Sequence, residues 1–96
     1  LAAQLDLAAV PLMQGAATLS ARGIRSSLFE DNRALAPELP DRPDVDLLFD
    51  PQTAGGLLAA LAPDEAEDKL QDLRAAGFEA ARIGCLQAGA PGLTLV

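Results

Sequence analysis

The first third of the chain has the periodicity of one strand followed by two helices. Leu5 and Leu7 alternate with polar neighbours, a period of two that predicts a short strand with one solvent-exposed face. Apolar positions then recur at helical spacing, which predicts a helix over residues 12–22 that ends at the following glycine. A shorter helix over residues 28–35 is predicted to begin with Ser27 as its N-cap.

The middle of the chain predicts two buried strands around a polar turn. Residues 37–44 contain three prolines and four charged side chains, which suits an exposed loop within one domain. Residues 45–49 and 57–61 are short apolar runs, and such runs bounded by Gly and Pro are typical of buried strands. Between them, Asp50 precedes a proline and should be extended, while two glycines permit positive φ or the close approach of another group. The residues alone fit either a tight structural turn or a binding loop.

The last third predicts one amphipathic helix and two strands. Residues 63–76 begin with proline and acidic side chains and end with basic ones, the order that a helix dipole favours. The acidic run lacks the ligand spacing of a calcium loop, so a solvated helix face is the better interpretation. Residues 78–86 and 93–96 predict two strands with a hairpin-like connection. Together these elements predict an α+β fold, a small mixed β-sheet with helices packed on it.

Composition and charge narrow the function. The chain has 96 residues, which is at most one domain, and a formal net charge of −7 without a basic cluster. Binding to nucleic acid or to anionic membranes is therefore disfavoured. No apolar run reaches the roughly 20 residues that a membrane helix needs, and a single cysteine fits a reducing compartment, so we expect a soluble, cytoplasmic protein.

The candidate catalytic residues do not form a complete active site. The chain contains no histidine, which excludes histidine-based acid/base catalysis and histidine metal sites. Cys85 lies in an apolar run without a nearby cation or a second thiol, so a buried structural cysteine is the better interpretation. We therefore predict no catalytic residue and no metal ligand in this chain.

One segment resembles a known family. The sequence Leu48-Phe49-Asp50-Pro51-Gln52-Thr53-Ala54-Gly55-Gly56-Leu57-Leu58 resembles the signature near the C-terminus of selenophosphate synthetases, also called selenide, water dikinases. Further similar segments span almost the whole chain, namely Leu5-Asp6-Leu7, Val10-Pro11-Leu12, Gly15-Ala16, Ala21-Arg22-Gly23, Gly77-Phe78, Ala80-Ala81 and Ile83-Gly84. The family commonly has Ser where this chain has Ala54, which removes a hydroxyl donor but keeps the small volume.

The resemblance implies where this chain belongs in a larger enzyme. It implies most of a C-terminal domain like that of aminoimidazole ribonucleotide synthetase-related enzymes, and the first residue, Leu rather than Met, agrees with a fragment. Such enzymes make selenophosphate, AMP and phosphate from selenide, ATP and water, with Mg²⁺ holding the polyphosphate. The resemblance places the essential Cys or Sec, a lysine and the metal-binding aspartates outside this chain. The expected partners are the N-terminal ATP-binding domain and, for the full-length protein, a second copy in a homodimer.

Within this chain the resemblance assigns a role only to the turn, as a loop that faces the interdomain cleft. We name it the 50–56 loop, and it consists of Asp50, Pro51, Gln52, Thr53, Ala54, Gly55 and Gly56. The fragment alone is expected to be inactive and to bind no cofactor. Two alternatives stay open at this point: another ATP-dependent kinase or synthetase of the same superfamily, and a structural or interaction module fused to a different enzyme.

Overall fold

The chain folds into short helices and one small sheet, in a computed structural model that describes residues 1–52 and 55–96. The helices are α1 (Ala16–Ala21), α2 (Phe29–Arg33), α3 (Pro43–Asp46) and α4 (Pro63–Ala75), the strands are β1 (Ala2–Leu5), β2 (Gly84–Gln87) and β3 (Gly92–Leu95), and 3₁₀ turns lie at Leu7–Ala9 and Leu47–Phe49. The α+β class and the mixed sheet are thus confirmed. None of the helices in the described part is long and apolar enough to cross a membrane.

The chain divides into two compact units. The first, which we call the motif unit, is Leu12–Gly56, and the second, the sheet unit, joins Leu1–Pro11 to Leu57–Val96. The single domain over residues 1–96 stays a prediction. In the motif unit α1 packs against α3, and the Leu47–Phe49 turn packs against all three helices of the unit. Its apolar core consists of Phe29, Leu39 and Val45.

The sheet unit is built around β1, which is the central strand in the order β2-β1-β3. β1 pairs antiparallel with β2 and parallel with β3. The hairpin-like connection predicted for residues 87–92 is therefore wrong, because β2 and β3 lie on opposite sides of β1. β1 and β2 approach so closely that a Cβ atom on Gly84 would collide with the carbonyl oxygen of Gln4. Glycine at position 84 makes this pairing sterically feasible.

β2 is shorter than predicted, and β1 ends earlier than the predicted alternation. Only four residues of the 78–86 run become β2, because β1 supplies only four partners, from Ala2 opposite Gln87 to Leu5 opposite Gly84. One further bond, from the Asp6 N–H to the Ile83 carbonyl at 2.8 Å, extends the pairing. The predicted alternation ends before Leu7, where the Asp6 side chain accepts a bond from the Ala8 N–H and caps a 3₁₀ turn.

Two helices end as the sequence predicts. α1 and α4 are followed by Gly23 and Gly77, whose φ angles of 78° and 90° are left-handed. In each case the glycine N–H and the next N–H return to carbonyls of the last turn, which is the Schellman arrangement. α4 spans nearly the predicted residues 63–76. α1 begins at Ala16 instead of residue 12, because Gly15 adopts a left-handed conformation immediately before it.

α2 is also shorter than predicted, and its cap differs. It covers Phe29–Arg33 instead of residues 28–35, with Leu28 at the N-cap position. The prediction of Ser27 as the cap is wrong. The neighbouring hydroxyl of Ser26 instead accepts a bond from the Leu28 N–H at 3.2 Å, a short local turn that competes with capping.

The two strands predicted around the 50–56 loop are wrong. Residues 45–49 complete α3 and continue into the Leu47–Phe49 turn. Pro43 stands at the first helical position with its φ already helical, and the Asp44 carboxylate accepts a bond from the Val45 N–H. Residues 57–61 form no regular element in the structure, and Leu57 is fully exposed. An apolar run becomes a strand only where a neighbouring strand pairs with it, and within the described part of the chain β1 pairs only with β2 and β3.

Candidate functional site

The 50–56 loop begins at a backbone position that the structure fixes tightly. Asp50 closes the Leu47–Phe49 turn and has an extended backbone, with φ −68° and ψ 121°. This confirms the extended conformation predicted for a residue before proline. Its N–H donates to the Leu47 carbonyl at 3.4 Å, and its side chain is exposed. The loop therefore presents one solvated carboxylate from a defined main-chain position.

The two glycines of the loop differ in their surroundings. Gly56 is not among the glycines with positive φ, and no atom lies within 4 Å of a Cβ atom built on it. A Cβ atom on Gly55 would lie 2.5 Å from the side-chain oxygen of Gln52. This contact agrees with close approach, the second of the two roles predicted for the glycines. The predicted site residues Thr53 and Ala54 lie outside the described residues.

Two side chains of α2 hold the residue that precedes the loop. The Asn32 side-chain amide donates to the Phe49 carbonyl oxygen at 3.0 Å. The Arg33 guanidinium carbon lies 5.1 Å from the centre of the Phe49 ring. Arg33 is itself fixed, because its two terminal nitrogens donate to the carbonyls of Ala36 and Leu39. We call Asn32 and Arg33, with the Phe49 that they contact, the Phe49 clamp.

A second polar network ties α1 to α3. Asp46 is buried, and one of its oxygens accepts from the Arg25 guanidinium in an ion pair. The other nitrogen of that guanidinium donates to the Ser20 carbonyl at 2.9 Å. The Ser20 hydroxyl donates to the Pro43 carbonyl at 2.6 Å. The second Asp46 oxygen has no hydrogen-bond partner among the described residues, so the carboxylate is stabilised mainly by Arg25.

Sequence reasoning missed both networks, although a signal for one was present. Asp46 stands inside an apolar run, between Val45 and Leu47, and a buried carboxylate needs a cationic partner. Arg25 could not be identified as that partner without the fold. Asn32 and Arg33 carried no signal, because polar residues on a short helix are expected at its solvated face.

The exposed charges of the motif unit include one well-formed pair. Arg42 donates to both carboxylate oxygens of Asp44. Hydrogen bonding from Arg42 holds the pKa of Asp44 below its usual value, and the same bond raises the pKa of Arg42. This pair lies at the start of α3 and does not involve Asp50, the carboxylate of the 50–56 loop.

Metal-ligating side chains are not clustered in the part of the chain that the structure describes. Among residues 1–52 and 55–96, no group of three or more His, Cys, Asp or Glu side chains lies close enough to hold a cation. The loop also contains no lysine or arginine. By sequence, the loop therefore offers one carboxylate, the Gln52 amide, the Thr53 hydroxyl and main-chain N–H groups, which orient a ligand but supply no positive charge to a phosphate.

Cys85 lies in the sheet unit and is not part of the 50–56 loop. It is half-buried in β2, and its thiol lies 3.6 Å from the Gln4 side-chain oxygen and 3.5 Å from the Gln87 side-chain nitrogen. The same thiol borders an open depression of about 330 Å³, lined by Gln4, Asp6, Arg82, Gly84, Cys85 and Val96. None of the described residues that line the depression belongs to the 50–56 loop.

Comparison with known proteins gives a consistent result. The chain is 39% identical over 99 residues to the selenide, water dikinase of Pseudomonas straminea, covering 95% of this chain and 28% of that protein. It is 39% identical over 101 residues to the selenide, water dikinase of Myxococcus xanthus, covering 98% of this chain and 28% of that protein. A shorter stretch of 38 residues is 60% identical to the selenide, water dikinase of Pelobacter propionicus, covering 40% of this chain and 11% of that protein.

No family model matches the chain. It spans about 28% of the length of the Pseudomonas straminea and Myxococcus xanthus relatives, and the region it matches is their C-terminal part. The similarity runs over nearly the whole chain and agrees with the signature around the 50–56 loop. The chain therefore belongs to the selenide, water dikinase (selenophosphate synthetase) family.

Proposed function

We propose that this chain is part of an enzyme that makes selenophosphate from selenide, ATP and water, and that it forms one wall of the active-site cleft. The observation that carries the proposal is the similarity over 95–98% of the chain to proteins named selenide, water dikinase. The proposed partner is the N-terminal ATP-binding domain of the same protein. The complete enzyme is proposed to act as a homodimer and to form AMP and phosphate as its other products.

In this proposal the 50–56 loop faces the cleft and orients the substrate. Support comes from its exposed side chains at Asp50 and Gln52 and from the fixed backbone that precedes them. A carboxylate placed by a fixed backbone accepts hydrogen bonds from a ribose or from metal-bound water, and exposed N–H groups donate to phosphate oxygens. Because the loop has no cationic side chain, the charge of the polyphosphate must be neutralised elsewhere.

The remaining chemistry is assigned to the part of the enzyme that precedes this chain. There the N-terminal domain and the start of the C-terminal domain would supply the reactive Cys or Sec, the lysine and the aspartates that hold Mg²⁺. No step of the reaction is assigned to Cys85. The isolated chain is therefore proposed to be inactive, since it lacks both the nucleophile and the cations that phosphoryl transfer requires.

The test compares the full-length enzyme with the isolated 96-residue chain. With ATP, selenide and Mg²⁺, the full-length enzyme should form AMP only in the presence of selenide, and phosphorus NMR should detect selenophosphate. The isolated chain should form neither product. Asp50→Ala in the full-length enzyme should lower kcat/KM for ATP by about tenfold or more, the effect of one lost hydrogen bond to a charged group.

A matched control is Asp31→Ala, which removes an exposed carboxylate from α2 in the same unit. It should leave kcat/KM within a factor of two or so, the usual range for surface substitutions. The proposal would be contradicted if the isolated chain showed selenide-dependent turnover. It would also be contradicted if the full-length enzyme showed no such turnover. Equal activities of the Asp50→Ala and Asp31→Ala enzymes would contradict the role of the loop.

A further inference from the structure

The peptide between Phe49 and Asp50 is held from both sides. Its oxygen accepts from the Asn32 side chain at 3.0 Å, and its N–H donates to the Leu47 carbonyl at 3.4 Å. A peptide unit is planar and includes the Cα atoms at both ends. Because its oxygen and its hydrogen are both held, the plane of this peptide is fixed. The position of the Asp50 Cα atom, which carries the side chain, is fixed with it.

The next rotation along the chain is restricted as well. Asp50 precedes Pro51, and proline confines the preceding residue to the extended conformation that Asp50 adopts. The backbone of Asp50 is thus determined on its N-terminal side by Asn32 and on its C-terminal side by Pro51. Only the short side-chain rotations of Asp50 stay free, so the carboxylate is confined to a small volume.

Arg33 fixes the other half of Phe49. Its guanidinium lies over the aromatic ring, and its nitrogens donate to two carbonyls of the segment that follows α2. Arg33 forms no ion pair with any carboxylate in the described part of the chain. The Arg33 guanidinium therefore holds the Phe49 ring and the Ala36–Leu39 turn. It forms no ion pair with Asp50, whose carboxylate stays available to a ligand.

The Phe49 clamp is not required for the apolar core. Phe49 and both of its partners are half-buried, whereas the core consists of Phe29, Leu39 and Val45. Asn32 spans 17 positions of sequence to reach one carbonyl oxygen. That oxygen lies at the end of a 3₁₀ turn, where water would otherwise satisfy it.

We propose that Asn32 and Arg33 are positioning residues that set the direction in which Asp50 enters the cleft. This inference rests on the proposed function, because it concerns the same loop. Asn32 acts through the Phe49 peptide and Arg33 through the Phe49 ring, and neither contacts substrate. Loss of the Asn32 donor frees the peptide plane, so that Asp50 samples directions that do not support the reaction.

The test uses three substitutions of Asn32 in the full-length enzyme. Asn32→Ala removes the side chain, Asn32→Asp keeps its shape but removes the N–H donor, and Asn32→Gln returns a donor on a longer side chain. Hydrogen exchange is followed at the Asp50 amide, with the Gly23 amide at the end of α1 as the reference. The steady-state kcat and KM for ATP are measured on the same preparations, with Asp31→Ala as the control.

Asn32→Ala and Asn32→Asp should each raise exchange at Asp50 about fivefold, the factor that corresponds to one neutral hydrogen bond. Exchange at Gly23 should be unchanged. Both variants should lower kcat about fivefold or more with a smaller change in KM, because misdirection of Asp50 affects the reacting geometry more than binding. Asn32→Gln should recover most of the wild-type exchange and kcat.

Three results would overturn the inference. One is unchanged exchange at Asp50 in Asn32→Asp. Another is an equal rise at Asp50 and Gly23, which would indicate general loosening of the motif unit. The third is a raised exchange rate at Asp50 in the Asn32 variants while their kcat and KM equal those of the Asp31→Ala control. If the wild-type enzyme lacks selenide-dependent activity, the proposed function fails, whereas the exchange measurements still decide whether Asn32 holds the Asp50 backbone.

Discussion

The motif unit and the sheet unit differ in what holds them together. Every residue that is buried in the described part of the chain belongs to the motif unit, namely Ser20, Phe29, Leu39, Val45 and Asp46. In the sheet unit the stabilising contacts are the backbone ladders of β1 and the hydrogen bonds of α4. Its large apolar side chains are partly or fully exposed, with Leu58 at 82% and Phe78 at 64%.

The difference explains why the family signature lies where it does. Backbone ladders fix the course of strands, but they place no constraint on a loop that leaves them. The 50–56 loop instead follows the Leu47–Phe49 turn, which packs against α1, α2 and α3. This turn also accepts a hydrogen bond from the Asn32 side chain of α2. A loop that must present one carboxylate in a fixed direction benefits from a base of this kind. The comparison therefore predicts that side-chain truncations will have large effects in the motif unit and small ones in the sheet unit.

The largest expected effect is the loss of Phe29. Phe29 is 9% exposed in the core of the motif unit, and Arg25 lies over its ring at 5.1 Å. Phe29→Ala should lower the free energy of unfolding by about 3–5 kcal/mol, because it combines lost burial with a cavity. Urea denaturation of the 96-residue chain measures this change.

The matched control in the sheet unit is Phe78→Ala, which should cost less than about 1 kcal/mol because the ring is largely exposed. Phe29→Leu keeps most of the volume and should cost less than about 1.5 kcal/mol, so it supplies a measurable variant even if Phe29→Ala does not fold. Equal costs for the alanine variants at the two positions would show that the units do not differ in this way.

Local signals in the sequence predicted part of the fold correctly. α4 was predictable because proline, acidic residues, basic residues and glycine stand in the order of a helix, each acting within one turn. β3 and the glycine end of α1 followed from equally local patterns. Residues 45–49 and 57–61 were among the segments predicted wrongly, because periodicity cannot separate a short strand from a short helix or an irregular run. Their outcome depends on pairing and burial elsewhere in the chain.

The candidate site was predictable as a segment but not as a structure. The signature pointed to the 50–56 loop, and the conformation of Asp50 followed from Pro51 alone. The sequence did not predict that the Gln52 side chain would lie where a side chain at position 55 would collide with it. Asn32 and Arg33 could not be found, because their contacts with Phe49 join residues 16 or 17 positions apart. Such contacts arise from tertiary structure and leave no periodic trace.

An intermediate effect is expected at the two glycines that end α1 and α4. Gly23 and Gly77 have φ angles of 78° and 90°, and neither has a neighbouring atom within 4 Å of a built Cβ. Substitution by alanine should therefore cost only the backbone strain of a left-handed residue, about 1–2 kcal/mol in either unit. Urea denaturation of Gly23→Ala and Gly77→Ala measures both values.

The Gly23→Ala and Gly77→Ala variants test a feature that the motif unit and the sheet unit share, namely a helix that ends at a left-handed glycine. Gly92→Ala is the control, since Gly92 also has open space around it but no left-handed φ, and it should be nearly neutral. A difference of more than about 1 kcal/mol between Gly23→Ala and Gly77→Ala would mean that packing around the helix ends, and not the local backbone, sets the cost.

The smallest expected effect concerns acid and the Arg42–Asp44 pair of the motif unit. The hydrogen bond from Arg42 lowers the pKa of Asp44 in the folded chain below its unfolded value of about 3.9. The unfolded chain thus binds the proton more readily, and the stabilisation is fully present above that unfolded value. It is lost as the pH falls through the folded pKa. The free energy of unfolding should therefore exceed that of Asp44→Asn by a constant amount at pH 5–7, and the difference should shrink below about pH 4.

The pair is exposed, so the difference should be small at every pH. The same substitution in an Arg42→Gln background should remove most of the pH dependence, because it eliminates the main cause of the shift. The corresponding pair of the sheet unit, Lys69 and Asp72 at 3.6 Å, has a single long contact, and Asp72→Asn should lower the free energy of unfolding at neutral pH less than Asp44→Asn. A difference between wild type and Asp44→Asn that stays constant down to pH 3 would show that the Asp44 carboxylate contributes through its shape at the start of α3 and not through its charge.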